Sequence, residues 1–496
     1  MQRARRLLAA ALAAGTAGLL APAAAQAHGF VGKADIPVPV WLFAWAAAVV
    51  LVLSFVALAV LWPEPRLEGQ QPRPARWRLP GMQRARLVPL PPIVDVVLGA
   101  AGIFLFGVTV YSGLAGTQEG IANWSLTFIY VIFWVGGVFA SLLFGDFFRL
   151  MSPWRALARG VSWLANKLTK GELPAPIAYP RWLGRWPAAV SVGVFAWVEL
   201  VYNDRDTPTT LAVMAIAYAA FQLVAMSLFG IEAWSDNGDG FGVYFGLFAR
   251  LAPWARRDGQ LWWRRPLSGV TELTRVPGTV ALLCVMLGST TFDGASNGPL
   301  WNSEFISQGL LNDFVHLGFS TSVALELAFT VGLLACILFC GLLYRLGIAG
   351  VRYVGGTLRD GRDAGSIRSG RFALAYVHSL VPIAAAYVIV HYFSYLVFNG
   401  QAIISLASDP LGNGANIFGT SQVAVNYKLI GPTAVWYVQI AVLIVGHVCG
   451  LVLAHDRATV LYQRPRDAAR SQGWMLVVMV GFTSLALFLI SAANSR

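Results

Sequence analysis

Charged side chains are scarce in this chain of 496 residues: Lys, Arg, Asp and Glu together make up 12%, against 57% hydrophobic residues. With a mean hydropathy of +0.62, that scarcity excludes an ordinary soluble globule and predicts an all-α, polytopic membrane helix bundle. Cysteine is also rare. Its four copies, Cys284, Cys336, Cys340 and Cys449, all fall in predicted spans, which argues against a disulfide framework. Cys336 and Cys340 share a helix face at i, i+4 and are read as small core residues rather than soft-metal ligands. No HExxH-type spacing occurs, so no local motif announces a metal.

What is present is a series of long apolar runs. Residues 1–27 read as a signal peptide: Arg3, Arg5 and Arg6 form the basic start, Leu7 to Leu20 the apolar core, and Ala25-Gln26-Ala27 the cleavage site. Residues 28–496 then form a single integral membrane domain. Ten spans are expected near 38–62, 91–112, 121–145, 184–202, 208–230, 276–291, 320–345, 372–398, 433–455 and 473–492. The net charge of +12 sits mainly in five connections, Arg66–Arg86, Arg149–Arg185, Arg250–Arg275, Arg345–Arg371 and Arg457–Arg470. Starting outside and alternating, all five fall in the cytoplasm and both mature termini fall outside. The charge therefore reports topology, with the lipid bilayer as partner, rather than nucleic acid.

Two of these connections look alike. Phe144-Gly145-Asp146 leads into Arg149-Leu150-Met151-Ser152-Pro153-Trp154, and Ser227-Leu228-Phe229-Gly230 precedes Arg250-Leu251-Ala252-Pro253-Trp254. Each is expected to form an interfacial helix. On the opposite side, Asn399–Pro432 is long enough to cover a site as a lid.

Ionisable groups inside the spans are the candidates for function. Five of the six histidines lie in the last 181 residues. Counted from the span ends, His391 and Glu326 each lie about 10 Å below the outer surface, where they could meet. Asp293 at the mouth of the sixth span, with Asp313 and His316 on the loop that follows, could close over them. Such a His, Glu and Asp set is what a Zn²⁺-like divalent metal would need, with one position left for water. Tyr392, Tyr395, Asn399 and Gln401 line the exit of the eighth span and could bind an ester or oxyanion.

His378 and His447 form an inner level. The thirteen-residue separation of His378 and His391 on one helix resembles that of di-haem membrane cytochromes, in which His447 would partner His378 and only His316 could serve His391. Each histidine could equally be a neutral core residue hydrogen-bonded across helices. His455-Asp456-Arg457 reads as an interfacial anchor with the aspartate pairing locally. His28, at the mature N-terminus, has the groups to chelate Cu²⁺. Glu199, Asp206 and Asp95 read as solvated span ends or single interhelical hydrogen bonds.

Several stretches together resemble the bacterial membrane proteins called fenitrothion hydrolases. They are His28-Gly29-Phe30 with Pro37 to Phe43, the FGDFFRLMSPW and GDGFGVYFGLFARLAPW segments, Leu287 to Gly294, His378 to Pro382, His391-Tyr392-Phe393, and Gly446-His447 through Ala458. The resemblance implies hydrolysis of organophosphorus triesters, small apolar esters, at the bacterial inner (cell) membrane, and carries no catalytic residues with it. Combined with the residue reading, it gives a hydrolase in which metal-activated water attacks phosphorus, the metal held by His391, Glu326 and one of His316 or Asp313. A transporter or metal permease using the same residues as a relay, and a b-type cytochrome, are the alternatives.

Overall fold

The computed structural model describes residues 40–69, 72–74, 76–77, 86–170, 174–298, 301 and 308–493. The expected signal peptide and His28 lie outside them. The chain is almost wholly helical: α1 Val40–Leu61, α2 Pro92–Ala115, α3 Trp124–Phe144, α4 Pro153–Leu168, α5 Trp186–Leu200, α6 Pro208–Phe229, α7 Gly240–Ala249, α8 Thr279–Ser296, α9 Thr321–Val354, α10 Ser369–Asn399, α11 Pro432–Leu461 and α12 Pro465–Ala493. Short helices and turns connect them. Proline fills the first turn of α2, α4, α5, α6 and α11, where its missing N–H costs nothing.

Among the described residues, seven helices are long and apolar enough to cross a membrane: α2, α3, α6, α8, α9, α10 and α11. The other three expected spans correspond to α1 of 22 residues, α5 of 15 and α12 of 29. At about 1.5 Å per residue α5 is only about 22 Å long. The expected sixth span stops too soon: α8 continues to Ser296 and carries Asp293 into the bundle, not to its mouth.

The two similar connections do not fold alike, which corrects the expectation of two interfacial helices. After Arg149-Leu150-Met151, Ser152 caps α4 by accepting from the Arg155 N–H at 3.3 Å, and α4 exposes Val161, Leu164 and Leu168 along one side. After Arg250-Leu251-Ala252, the chain forms a hairpin instead, β1 Trp254–Arg257 and β2 Gln260–Trp263, with Arg257 opposite Gln260. The two turn residues, Asp258 and Gly259, have φ of 50° and 69°, the Asp-Gly pattern of a tight primed turn.

The end of the bundle that carries the arginine-rich connections is tied by buried polar contacts. Asp456 accepts from the Trp62 indole at 2.9 Å and from the backbone N–H groups of Arg66, Leu67 and Glu68, so it pairs 388 to 394 residues away rather than locally. Arg457 reaches Glu68 at 2.8 Å and Arg275 reaches the same carboxylate at 3.2 Å. Asp95 is not a free polar group: it ion-pairs with Arg256, and lies 3.8 Å from Arg159. Arg185 is buried at the start of α5, where it donates to the Thr274 carbonyl at 2.9 Å and to the Thr279 hydroxyl at 3.0 Å.

Helix α10 is the centre of the molecule, packed by α11, α8, α3 and α7. From Phe372 to Asn399 it has no Asp, Glu, Lys or Arg, so nothing opposes its enclosure on every side. The crossing with α11 uses glycine. A methyl at Gly446 would collide with Ala386, and one at Gly450 would come within 2.9 Å of the Ser379 carbonyl. The two backbones therefore touch at this level.

Candidate functional site

At the end of the bundle opposite the arginines, α8 and α10 bring three of the expected residues together. His391 Nε2 lies 2.8 Å from Asp293 Oδ2, and the Tyr392 hydroxyl donates to the same oxygen at 2.7 Å. Consecutive residues on a helix point about 100° apart. Asp293 sits in the angle between them, with the His391 and Tyr392 rings nearly perpendicular at 86°. The pair is enclosed: the side chains of His391 and Asp293 are 8% and 2% exposed.

Asp293 holding the Nε2–H of a neutral imidazole assigns the lone pair to Nδ1. Gly294 stands opposite Nδ1, where a methyl would lie in ordinary contact, 3.7 Å from that nitrogen. Tyr392 was expected to bind an oxyanion. Its proton goes to Asp293 instead, so it orients the carboxylate. Tyr395, one turn further along α10, stands with its ring 6.4 Å from that of Tyr392.

A second carboxyl joins this group. Glu199 is buried near the end of α5 by the Trp134 indole, within electrostatic reach of Asp293, Arg205, Tyr130, Tyr244, Tyr392 and Tyr395. Tyr130 and Trp134 reach it from α3, which is wound as a π-helix over Thr127–Gly136. Such wide turns are concentrated at functional sites. Trp134 stacks on Tyr244 with centroids 4.3 Å apart. Two carboxyls and an imidazole are thus set in an aromatic wall.

The sequence reading missed Glu199. Its helix is 15 residues long, shorter than the expected span 184–202, so a carboxylate near its end stays inside.

Glu326 takes a different place. It is half-buried on α9 and accepts the Asn203 backbone N–H at 2.9 Å, in the connection between α5 and α6. Asp313 and His316 lie exposed on the short helix Gly309–His316. Among the described residues no three His, Cys, Asp or Glu side chains come together to hold a metal. The set His391, Glu326 and His316 or Asp313 therefore does not fit a divalent ion, and no step is routed through one. Gln401 ties the long loop after α10 to its own far end, donating to the Asn426 carbonyl at 3.3 Å and accepting the Asn426 N–H at 2.9 Å.

The inner histidines do not fit haem. His447 Nδ1 is 2.8 Å from the Leu443 carbonyl and its ring packs against Tyr387 and Phe482, with centroids 6.1 and 6.3 Å away. His378 lies in a tight turn at Val377–Ser379, next to the Ala375 and Leu453 carbonyls. The glycine contact of α10 with α11 leaves no slot for a porphyrin between these two helices. No protein-family model, curated protein or solved structure matches the chain.

Proposed function

We propose that the chain is a membrane-embedded hydrolase of small apolar esters, with organophosphorus triesters as the substrate class, working at the Asp293–His391 pair. The observation that carries this reading is the 2.8 Å contact between a buried carboxylate and an imidazole whose other nitrogen faces a glycine. Asp293, steadied by Tyr392, orients the ring and stabilises its charged form. His391 then takes a proton from water at Nδ1. The new P–O bond forms as the bond to the aryloxide breaks, and the aryloxide leaves with the electron pair. His391 returns the proton to solvent afterwards. General base catalysis of this kind contributes about 10²- to 10⁴-fold. An apolar triester can arrive through the lipid, which is a reason to place such chemistry within a bilayer.

The same reading puts the chain in the bacterial inner membrane with ten crossings, its N-terminus outside and its arginine-rich end in the cytoplasm. The distribution of basic connections supports this. The test of function is nitrophenol release from fenitrothion by membranes holding equal amounts of wild type or His391→Ala. Loss in the variant alone supports the hydrolase; no release by either discards it. A transporter is the second reading, favoured by Glu199 lying beside Asp293, because two carboxyls and an imidazole can share and release a proton. Substrate-dependent uptake into vesicles separates the two.

A further inference from the structure

Below the Asp293–His391 pair, buried polar groups without partners continue toward the arginine-rich end. Tyr387 lies one turn from His391 on α10, about 6 Å along the helix. Its hydroxyl is buried and has no hydrogen-bond partner. The His447 ring is 6.1 Å from it, and His447 Nε2 is also buried and unpartnered. Further down, His378 is buried beside the Ala375 and Leu453 carbonyls with neither ring nitrogen in a close hydrogen bond, and the Tyr376 hydroxyl and the Gln472 side chain are buried next to each other. His378, His447, Tyr376 and Gln472 are each 1% exposed or less. Buried polar atoms are normally satisfied, and a file of exceptions between three helices needs an explanation.

We infer that these groups line a file of bound water that conducts protons between the Asp293–His391 site and the cytoplasmic end, through Tyr387, His447 and His378. Each group has a chemistry suited to the task. A phenol accepts a proton on its oxygen and hands on its own. An imidazole accepts at one nitrogen and releases at the other, as His378 can with both nitrogens available. No charge stays behind after a complete passage, and no oxidant or second substrate is needed. His447, whose Nδ1 is engaged by Leu443, receives and returns the proton at Nε2. At the lower end Arg275 and Arg457 stand near His378, with Glu68 between them.

The inference does not depend on the substrate of the upper site, so it survives or fails separately from the hydrolase reading. The full-length protein is reconstituted into liposomes loaded with pyranine, and a potassium gradient with valinomycin drives protons inward. Wild type should acidify the lumen well above empty liposomes. Tyr387→Phe and His447→Phe should each slow this at least tenfold, while His316→Gln, on the exposed outer helix, keeps the wild-type rate. Wild-type flux equal to that of empty liposomes, or wild-type rates in both variants, overturns the inference. Because a core variant can misfold, radiolytic hydroxyl labelling of the wild type gives an independent reading. Side chains beside bound water are marked even when buried, so Tyr387 and His378 should be labelled, and their protection would overturn the water file.

Discussion

Asp293 has two donors on one oxygen, and they differ in what their loss should do. Asp293→Asn keeps the shape but removes the charge that orients His391, and it should lower kcat/KM for triester hydrolysis by about 10²- to 10⁴-fold. Tyr392→Phe removes one hydrogen bond to a charged group, worth about 1.5 to 3 kcal/mol, and should cost roughly ten- to a hundredfold. Glu326→Ala should stay within about twofold of wild type, because Glu326 serves Asn203 and not the pair. Parallel progress curves at matched protein level decide all three; a Glu326→Ala loss as deep as that of Asp293→Asn would sink this assignment. His391 was legible in the sequence because an ionisable group in an apolar run has few reasons to be there. Glu326 misled because counting residues gives depth alone. Which way a side chain points around the helix axis is set by rotation, and α9 turns Glu326 toward the α5–α6 connection. Glu199 looked like a solvated end because its helix was expected to be longer than it is.

Whole elements were legible where composition alone decides them. The apolar runs of α2, α3, α6 and α10 became helices near the expected limits, while α9 and α11 run on past them to Val354 and Leu461. The shared Arg-Leu and Pro-Trp pairs did not decide the structure of their connections, since the residues after them do. Pro153-Trp154-Arg155-Ala156-Leu157 continues with good helix formers behind a serine cap, whereas Trp254-Ala255-Arg256-Arg257 runs into Asp258-Gly259 and folds back. That dipeptide is a hairpin-turn signal in the sequence itself.

The α4 end of the first copy also depends on Glu232, which pairs with Arg155 at 2.8 Å and Arg149 at 2.6 Å. Burial alone would raise the Glu232 carboxyl, but Arg155 and Arg149 outweigh it and hold it below its ordinary range. A lowered carboxyl stabilises the fold above its unfolded value of about 4.3, and that contribution disappears as pH falls through the lower, folded value. The Glu232 side chain is 54% exposed, so solvent limits the effect to about 1 kcal/mol or less. Glu232→Gln should therefore lower the melting temperature in detergent slightly at pH 7, with the difference closing below about pH 4. A difference that widens on acidification would contradict the ion-pair account.

For the whole molecule, the number of crossings decides on which side the chain ends. Seven crossings from an outside start would leave the C-terminus in the cytoplasm, and ten would return it outside. The packing of α1 and α12 bears on this directly. Helix α1 ends at Leu61, and the residues just after it hold Asp456 near the end of α11, so both helices finish at the arginine-rich end. After the short link Tyr462–Arg464, α12 starts from that same end and runs back beside α1, and its 29 residues span about 43 Å. The end of α12 at Ala493 thus lies at the end where α1 begins. Short α5, starting after the buried Arg185, is about 8 Å shorter than a 30 Å hydrocarbon core. Fluorescent protein fused after Arg496 should stay dark while alkaline phosphatase at the same point is active, and the reverse should hold for fusions after Arg275. A bright C-terminal fusion would mean that one or all three of α1, α5 and α12 do not cross, and the Asp293–His391 site would then have to be reassigned to a different depth.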